Sequence, residues 1–308
     1  MSETHAMPHR RQTSPVHRAS PRRMSQGSRL PIATPARRNK PRLKLTRWIG
    51  LTLFGSWVLI AIAGPWFAPY PMGAFVSDEI YGGMSAAHWL GTDYMGRDML
   101  SRILTGARYT VGLAVVAALL SSLVGAGFGM LAVLLPRWLE EGVRRIFDTL
   151  ISIPSKMMAL VMVSAFGTSI PLLILAAVLS YAPGAFRISH SLATNLATLE
   201  YVQVAKTRGE GRFYIAAVEI LPNMIQSVLT DMGMRFVFIV LLLSGMSFLG
   251  LGVQPPAADL GSLVRENIGG LSQGALAVVA PALAIGTLTI GANLLIDSLS
   301  NSRGSQKE

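Results

Sequence analysis

The side chains of this 308-residue chain that could do chemistry are few, and their spacing does not suit catalysis. None of the five lysines, Lys40, Lys44, Lys156, Lys206 and Lys307, follows a glycine, so none completes the Gly-Lys-Ser/Thr of a phosphate loop. The five histidines, at 5, 9, 17, 88 and 190, are scattered without metal-ligand spacing. With no cysteine, there is no thiol nucleophile, disulfide framework or thiolate site. What stands out instead is isolated charge in or beside apolar runs. Lys156 lies inside one, while Asp148, Arg187, Glu219, Arg235 and Asp297 lie near the ends of others and read as interfacial anchors. Charge buried in lipid is costly, so such a residue is a functional candidate by default. Polar residues also concentrate in one stretch, EYVQVAKTRGEGRFYIAAVEILPN from Glu200 to Asn223.

The elements that must position these groups are membrane helices. The chain is 51% hydrophobic and 14% charged, where a soluble domain carries roughly a quarter charged residues. The net charge of +11 belongs to a tail: residues 1–47 hold 12 basic groups against Glu3, leaving 15 basic and 15 acidic residues elsewhere. That tail is rich in Pro, Ser and Arg, without apolar periodicity or stacking aromatics, so residues 1–45 are expected to be disordered and not to bind nucleic acid. It is too long and charged for a signal peptide, and is expected to be retained and cytoplasmic. Either it binds anionic lipid, or it is an unselected extension upstream of Met24.

About 20 apolar residues span a bilayer. Six segments qualify: 48–67, 107–134, 146–166, 170–188, 232–252 and 275–295. The expectation is an all-α polytopic membrane domain over residues 46–300, with both termini cytoplasmic. In that orientation Arg137, Arg144, Arg145, Lys206, Arg208 and Arg212 fall inside, as the excess of basic residues on the cytoplasmic side requires. Lys156, ten residues from the inner end of the third span, would lie about 15 Å deep. There it either lines a pathway, pairs with an acid of a partner, or snorkels.

The longest cytoplasmic loop, about 190–231, contains the polar stretch. Tyr201, Val204 and Ala205 share one face of a short amphipathic helix, with Lys206 turned away. Gly209 suits a left-handed turn, and a second piece from Arg212 is expected to stop at Leu221-Pro222. On the outside, Gly91 and Gly96 suit tight turns, and Asp98 is placed to cap the re-entering helix. That segment otherwise offers a docking surface or an outer gate. Gly250, Gly252, Pro255 and Pro256 are expected to break the outer end of the fifth span.

These motifs carry a resemblance. Gln203-Val204-Ala205, Gly209 and Leu221-Pro222 are similar to the cytoplasmic signature of bacterial ABC import permeases. HWLGTDYMGRDMLSRILTGAR from His88, and MSFLGLGVQPP from Met246, look like the C-type permease of the dipeptide, oligopeptide and nickel importers. Leu260, Lys156 and Leu243 depart from the pattern, where relatives carry Trp, an apolar residue and an acid. The resemblance covers roughly residues 45–300.

The resemblance implies a six-helix, type I importer permease of the bacterial inner membrane, not itself an enzyme. It implies no cofactor on this chain, with ATP and Mg on partner ATP-binding subunits. A second homologous permease, an extracytoplasmic binding protein and lipid are the other implied partners. By resemblance Glu200, Tyr201, Val204, Ala205, Gly209, Leu221 and Pro222 form the ATPase-coupling element, and Lys156, Met246, Gly250 and Gly252 are pathway or gate candidates. The expected cargo is di- or oligopeptides, with nickel chelates and opines as alternatives. A secondary transporter would need repeat-related broken helices around a midplane ion site, and would leave the loop signature unexplained.

Overall fold

The computed structural model describes residues 40–304, with side chains for 45–299. The expectations for the basic tail before residue 40 lie outside the described residues. Ten α-helices follow in order: α1 Lys40–Phe67, α2 Met99–Ala132, α3 Arg137–Ile151, α4 Ser155–Phe166, α5 Ile170–Ala197, α6 Glu200–Thr207, α7 Arg212–Tyr214, α8 Leu221–Phe248, α9 Leu260–Glu266 and α10 Leu276–Gly304. A π-helical turn, Ile215–Ile220, joins α7 to α8, and a 3-10 turn, Ile268–Gln273, precedes α10. Among the described residues extended pairing is limited to one isolated bridge, Thr92 with Asp98.

Five helical stretches are long and apolar enough to cross a membrane, or six if α3 and α4 count as one broken span. The sequence led us to expect a single helix over 146–166. Instead Ser152, Ile153 and Pro154 interrupt it, and α3 and α4 meet at 83°. Pro154 has no N–H to donate and disfavours helical backbone at Ile153. Strongly amphipathic α3 packs across α5, stacking Phe147 on Phe186 with centroids 4.2 Å apart. At 12 residues, α4 is only about 18 Å long.

The fifth span also differs from its expected bounds, 232–252, because α8 begins at Leu221 and ends at Phe248. Nor does Leu221-Pro222 stop the helix, which runs from Arg212 to Phe248 as one 37-residue stretch. Leu221 N–H donates five residues back to the Ala216 carbonyl. This wider turn makes room for the Pro222 ring without ending the helix. The stretch between the two long helices is therefore short, since α5 continues to Ala197 and the next long helix resumes at Arg212.

The core forms around α2, whose most extensive interface is with α5. Gly125 and Gly129 make it possible: a Cβ at Gly129 would sit 2.7 Å from the Phe186 carbonyl oxygen, and one at Gly125 2.8 Å from the Phe186 nitrogen. Small residues four apart allow backbones to approach closely in lipid, where packing rather than the hydrophobic effect drives association. The same device joins α1 to α10, where a Cβ at Gly50 would meet Leu295 N at 2.6 Å and one at Gly291 would meet Phe54 N at 2.8 Å.

Candidate functional site

The loop from Glu200 folds as a short helix, a glycine turn and a return helix. Gly209 has φ +82°, the left-handed conformation expected of it, and nothing lies within 4 Å of where a Cβ would stand. A small apolar cluster holds α6 in place: Val202 and Ala205 are buried against Ala193, Ala197, Ile215, Ile220 and Met224. Gln203 Nε2 adds a 2.7 Å bond to the Ala197 carbonyl at the end of α5. The expected face thus divides. Ala205 points inward and is fully buried, because residues 202 and 205 are three apart on the docked side. Tyr201 and Val204 point outward, 38% and 53% exposed, with Glu200 exposed beside them. Leu221 is half-buried and Pro222 exposed at the helix they were expected to stop.

The segment between α1 and α2 is held by buried charge. Asp93 is 0% exposed and accepts from Arg97 Nε at 2.7 Å and Arg102 Nη1 at 2.6 Å. Glu266 on α9 accepts from the same two arginines, from Arg97 Nη2 at 3.0 Å and Arg102 Nη1 at 2.8 Å. Burial alone would lower the Arg97 pKa, but the Asp93 and Glu266 carboxylates outweigh it and hold it above its ordinary value. Asp98 caps α2 as its position predicts, accepting from the Ser101 amide at 2.8 Å and hydroxyl at 2.6 Å, and it also pairs with His88 Nδ1 at 3.0 Å. Gly91 and Gly96, at φ +75° and +71°, supply the turns between these groups. The sequence did not reveal Glu266, which lies 164 residues from Arg102.

MSFLGLGVQPP likewise does structural work. Ser247 donates to Asp259 at 2.6 Å, and Asp259 forms a capping box with Ser262 at the start of α9. Burial pushes the Asp259 carboxyl above the usual range, against the donors that face it. Gly250 has φ +87° and packs on Arg265, while buried Gly252 packs on Ser247, where a Cβ would collide. Met246 is 2% exposed and belongs to the core, forming the floor of a groove between α4 and α8. The gate candidates Gly250, Gly252 and Met246 therefore sit in packed structure, because their small or flexible side chains let the chain fold back over the end of α8.

Lys156 is in the first turn of α4, so counting its depth from residue 146 has no geometric meaning. It is exposed and lines the α4–α8 groove, of about 260 Å³. Arg235 is the other correction. The longer α8 puts it mid-helix and nearly fully buried, no interfacial anchor: Nε and Nη2 meet Asp231 at 2.6 and 3.1 Å, and Nη1 donates to the Tyr181 carbonyl at 2.6 Å. Among the described residues no group of three or more His, Cys, Asp or Glu side chains could hold a metal ion.

This architecture of broken and unbroken spans, with a short docked helix on a glycine turn, agrees with comparisons against known proteins. The family described as "Binding-protein-dependent transport system inner membrane component" matches residues 125–302. A glutathione transport system permease protein of Pectobacterium atrosepticum is 30% identical over 250 residues, covering 80% of this chain and 83% of the relative. Dipeptide transport system permease proteins of Haemophilus influenzae and Alkalihalophilus pseudofirmus are 30% and 28% identical, over 82% of this chain and 87% and 83% of their own lengths. The chain therefore belongs to the inner-membrane permease components of binding-protein-dependent ABC importers, in the group that includes the dipeptide and glutathione systems.

Proposed function

We propose that this permease passes di- or oligopeptides handed over by an extracytoplasmic binding protein, paired with a second homologous permease and driven by ATP and Mg on separate ATP-binding subunits. The observation that carries the reading is α6: an eight-residue helix, too short to be stable alone in water, docked on its own bundle while presenting Tyr201 and Val204 outward. Glu200, Tyr201 and Val204 then make the contact with the ATPase. Ala205 acts from behind by seating the helix, Gly209 sets its angle, and Leu221 and Pro222 begin the span it drives. The peptide relatives support the cargo class, since dipeptides and glutathione are what those proteins are named for.

In this reading the termini and α6 face the cytoplasm, and the ionic cluster around Asp93 faces the binding protein. Lys156, over the Met246 floor, faces the pathway, and Gly250 and Gly252 hold the outer turn above it. The test is uptake of radiolabelled dialanine and glutathione by cells carrying the complete operon. Reporter fusions at the N-terminus and near Ala257 accompany it. Uptake of at least one probe, with the fusions on opposite sides, is expected; no uptake of either probe refutes the peptide reading, and fusions on one side refute the topology.

A further inference from the structure

Two adjacent helices place Lys156 relative to the α4–α5 turn. Ser180 Oγ donates to the Ser155 carbonyl at 3.1 Å, and Ser180 lies ten residues, about 15 Å, along α5 from its start at Ile170. Lys156 is likewise ten residues, about 15 Å, from the end of α4 at Phe166. The α4–α5 turn between these ends is three residues long, so both measure from the same face. About 15 Å is half of a typical hydrocarbon core of about 30 Å. With the α4–α5 turn taken as one face of the core, Lys156 stands near the midplane, just after the break between α3 and α4.

Interrupted backbone at this depth is tolerated where it is buried in protein or lines a water-filled cavity. Lys156 opens onto the α4–α8 groove, lined otherwise by apolar side chains and Gly245, with no carboxylate among the lining residues. The acid of α8, Asp231, is already committed to Arg235. Lys156 makes no ion pair among the described residues, and the distance to either interface exceeds what its four-carbon stem can snorkel. Facing lipid would be costly. The positive end of α4 adds to the field at the same place. The groove therefore offers one localised positive charge, on an apolar wall, with no negative partner of its own.

We propose that the Lys156 ammonium is a transit site for the free carboxylate of the solute, so that the permease itself, and not only its binding protein, favours cargo carrying a carboxylate. This rests on the peptide-import reading and deepens it. A short peptide suits both features, its side chains meeting Leu160, Leu241 and Leu249 while its C-terminal carboxylate meets Lys156.

The test uses the complete transporter in proteoliposomes with its binding protein, and compares dialanine with alanyl-alaninamide. The binding protein is common to all variants, so its own preference cancels when the dialanine-to-amide uptake ratio is compared between them. Lys156→Gln is expected to lower that ratio about tenfold, the usual scale of a lost charged hydrogen bond, and Lys156→Arg to retain most of it. A second readout exploits the absence of cysteine in this chain. Lys156→Cys should be labelled by a membrane-impermeant maleimide in the assembled complex, and dialanine should slow the labelling. An unchanged ratio in Lys156→Gln, or no labelling of Lys156→Cys, overturns the proposal. Equal loss of both probes, with less of the second permease co-purifying, also overturns it by showing that Lys156 pairs with a partner's acid. Failure of the wild-type complex to take up dialanine or glutathione defeats instead the reading on which the proposal rests.

Discussion

Gly209 offers the cleanest perturbation of the proposed coupling element, because its surroundings remove the usual ambiguity of a glycine substitution. A Cβ there meets nothing within 4 Å, so replacement introduces no clash and acts only through φ, which is +82°. Holding a non-glycine residue in the left-handed region costs about 1–2 kcal/mol, with Asn among the better tolerated. Branching at Cβ makes it worse. Opposing that strain are the burial of Val202 and Ala205, the Gln203 bond to Ala197, and the Glu210 N–H bond to the Ala205 carbonyl at 3.2 Å. If these hold, the strain is stored; if they yield, α6 swings away from its seat. Strain of about 1–2 kcal/mol shifts the docked population by about 5–30-fold. Uptake should therefore fall in the order Gly209, Asn, Ala, Val, with Gly209→Val losing about tenfold or more at matched permease level. The bundle lies away from the turn and should insert normally. Dialanine uptake, normalised to immunoblotted permease, is the assay. Wild-type uptake in Gly209→Val would refute the reasoning, as would equal loss in Gly209→Asn and Gly209→Val.

Three further outcomes follow from the same geometry. Tyr201→Asp with Val204→Asp should reduce co-purification of the ATP-binding subunits without lowering permease level, since both side chains are exposed; Val202→Asp, on the buried face, should lower the level itself. Removing either partner of the Arg235–Asp231 pair leaves an uncompensated buried charge and should cost about 3–5 kcal/mol. Arg235→Met with Asp231→Leu should restore much of that, and a detergent-solubilised melting series that finds the double variant as unstable as the singles would contradict this. Asp93→Ala should cost a similar amount, because Arg97 and Arg102 then share only Glu266, and the loss should appear as greater proteolysis of the outer segment. Unchanged proteolysis would show that the cluster does not fix that segment.

The sequence was most legible where a local rule decides alone. Asp98 before an apolar run is a helix cap in almost any context, and it accepts from Ser101 as the spacing implies. Gly209 was equally readable, because a turn between polar helical pieces needs the conformation only glycine adopts freely. What stayed hidden depended on neighbours distant in sequence. Tyr201, Val204 and Ala205 read as one face, yet Ala197 and Ile215 lie on one side of α6 only, and they draw Val202 and Ala205 inward. Arg235 looked like an anchor because a span of about 20 residues was placed too far toward the outside. The true helix is longer, and its extra turns carry Asp231 into reach.

The two prolines state the limit most clearly. Pro154 and Pro222 carry the same defect, a missing N–H and a ring that crowds the preceding turn. At Pro154 the chain bends by 83° and begins a new helix. At Pro222 it widens one turn, with Leu221 donating to Ala216, and continues. The difference lies in the flanking packing. Ile215 and Ile220, the two ends of the wide turn, and Met224 beyond it are buried in one cluster with α6, so a bend there would undo the seat of α6. Ser152, Ile153 and Pro154 are all exposed, so bending costs little buried contact. The break thus falls where the chain is exposed beside the Lys156 groove, and is suppressed where the helix helps to bury α6. In the proposed reading, the continuous helix acts as a stiff lever on the loop side and the broken pair as a discontinuous wall beside Lys156.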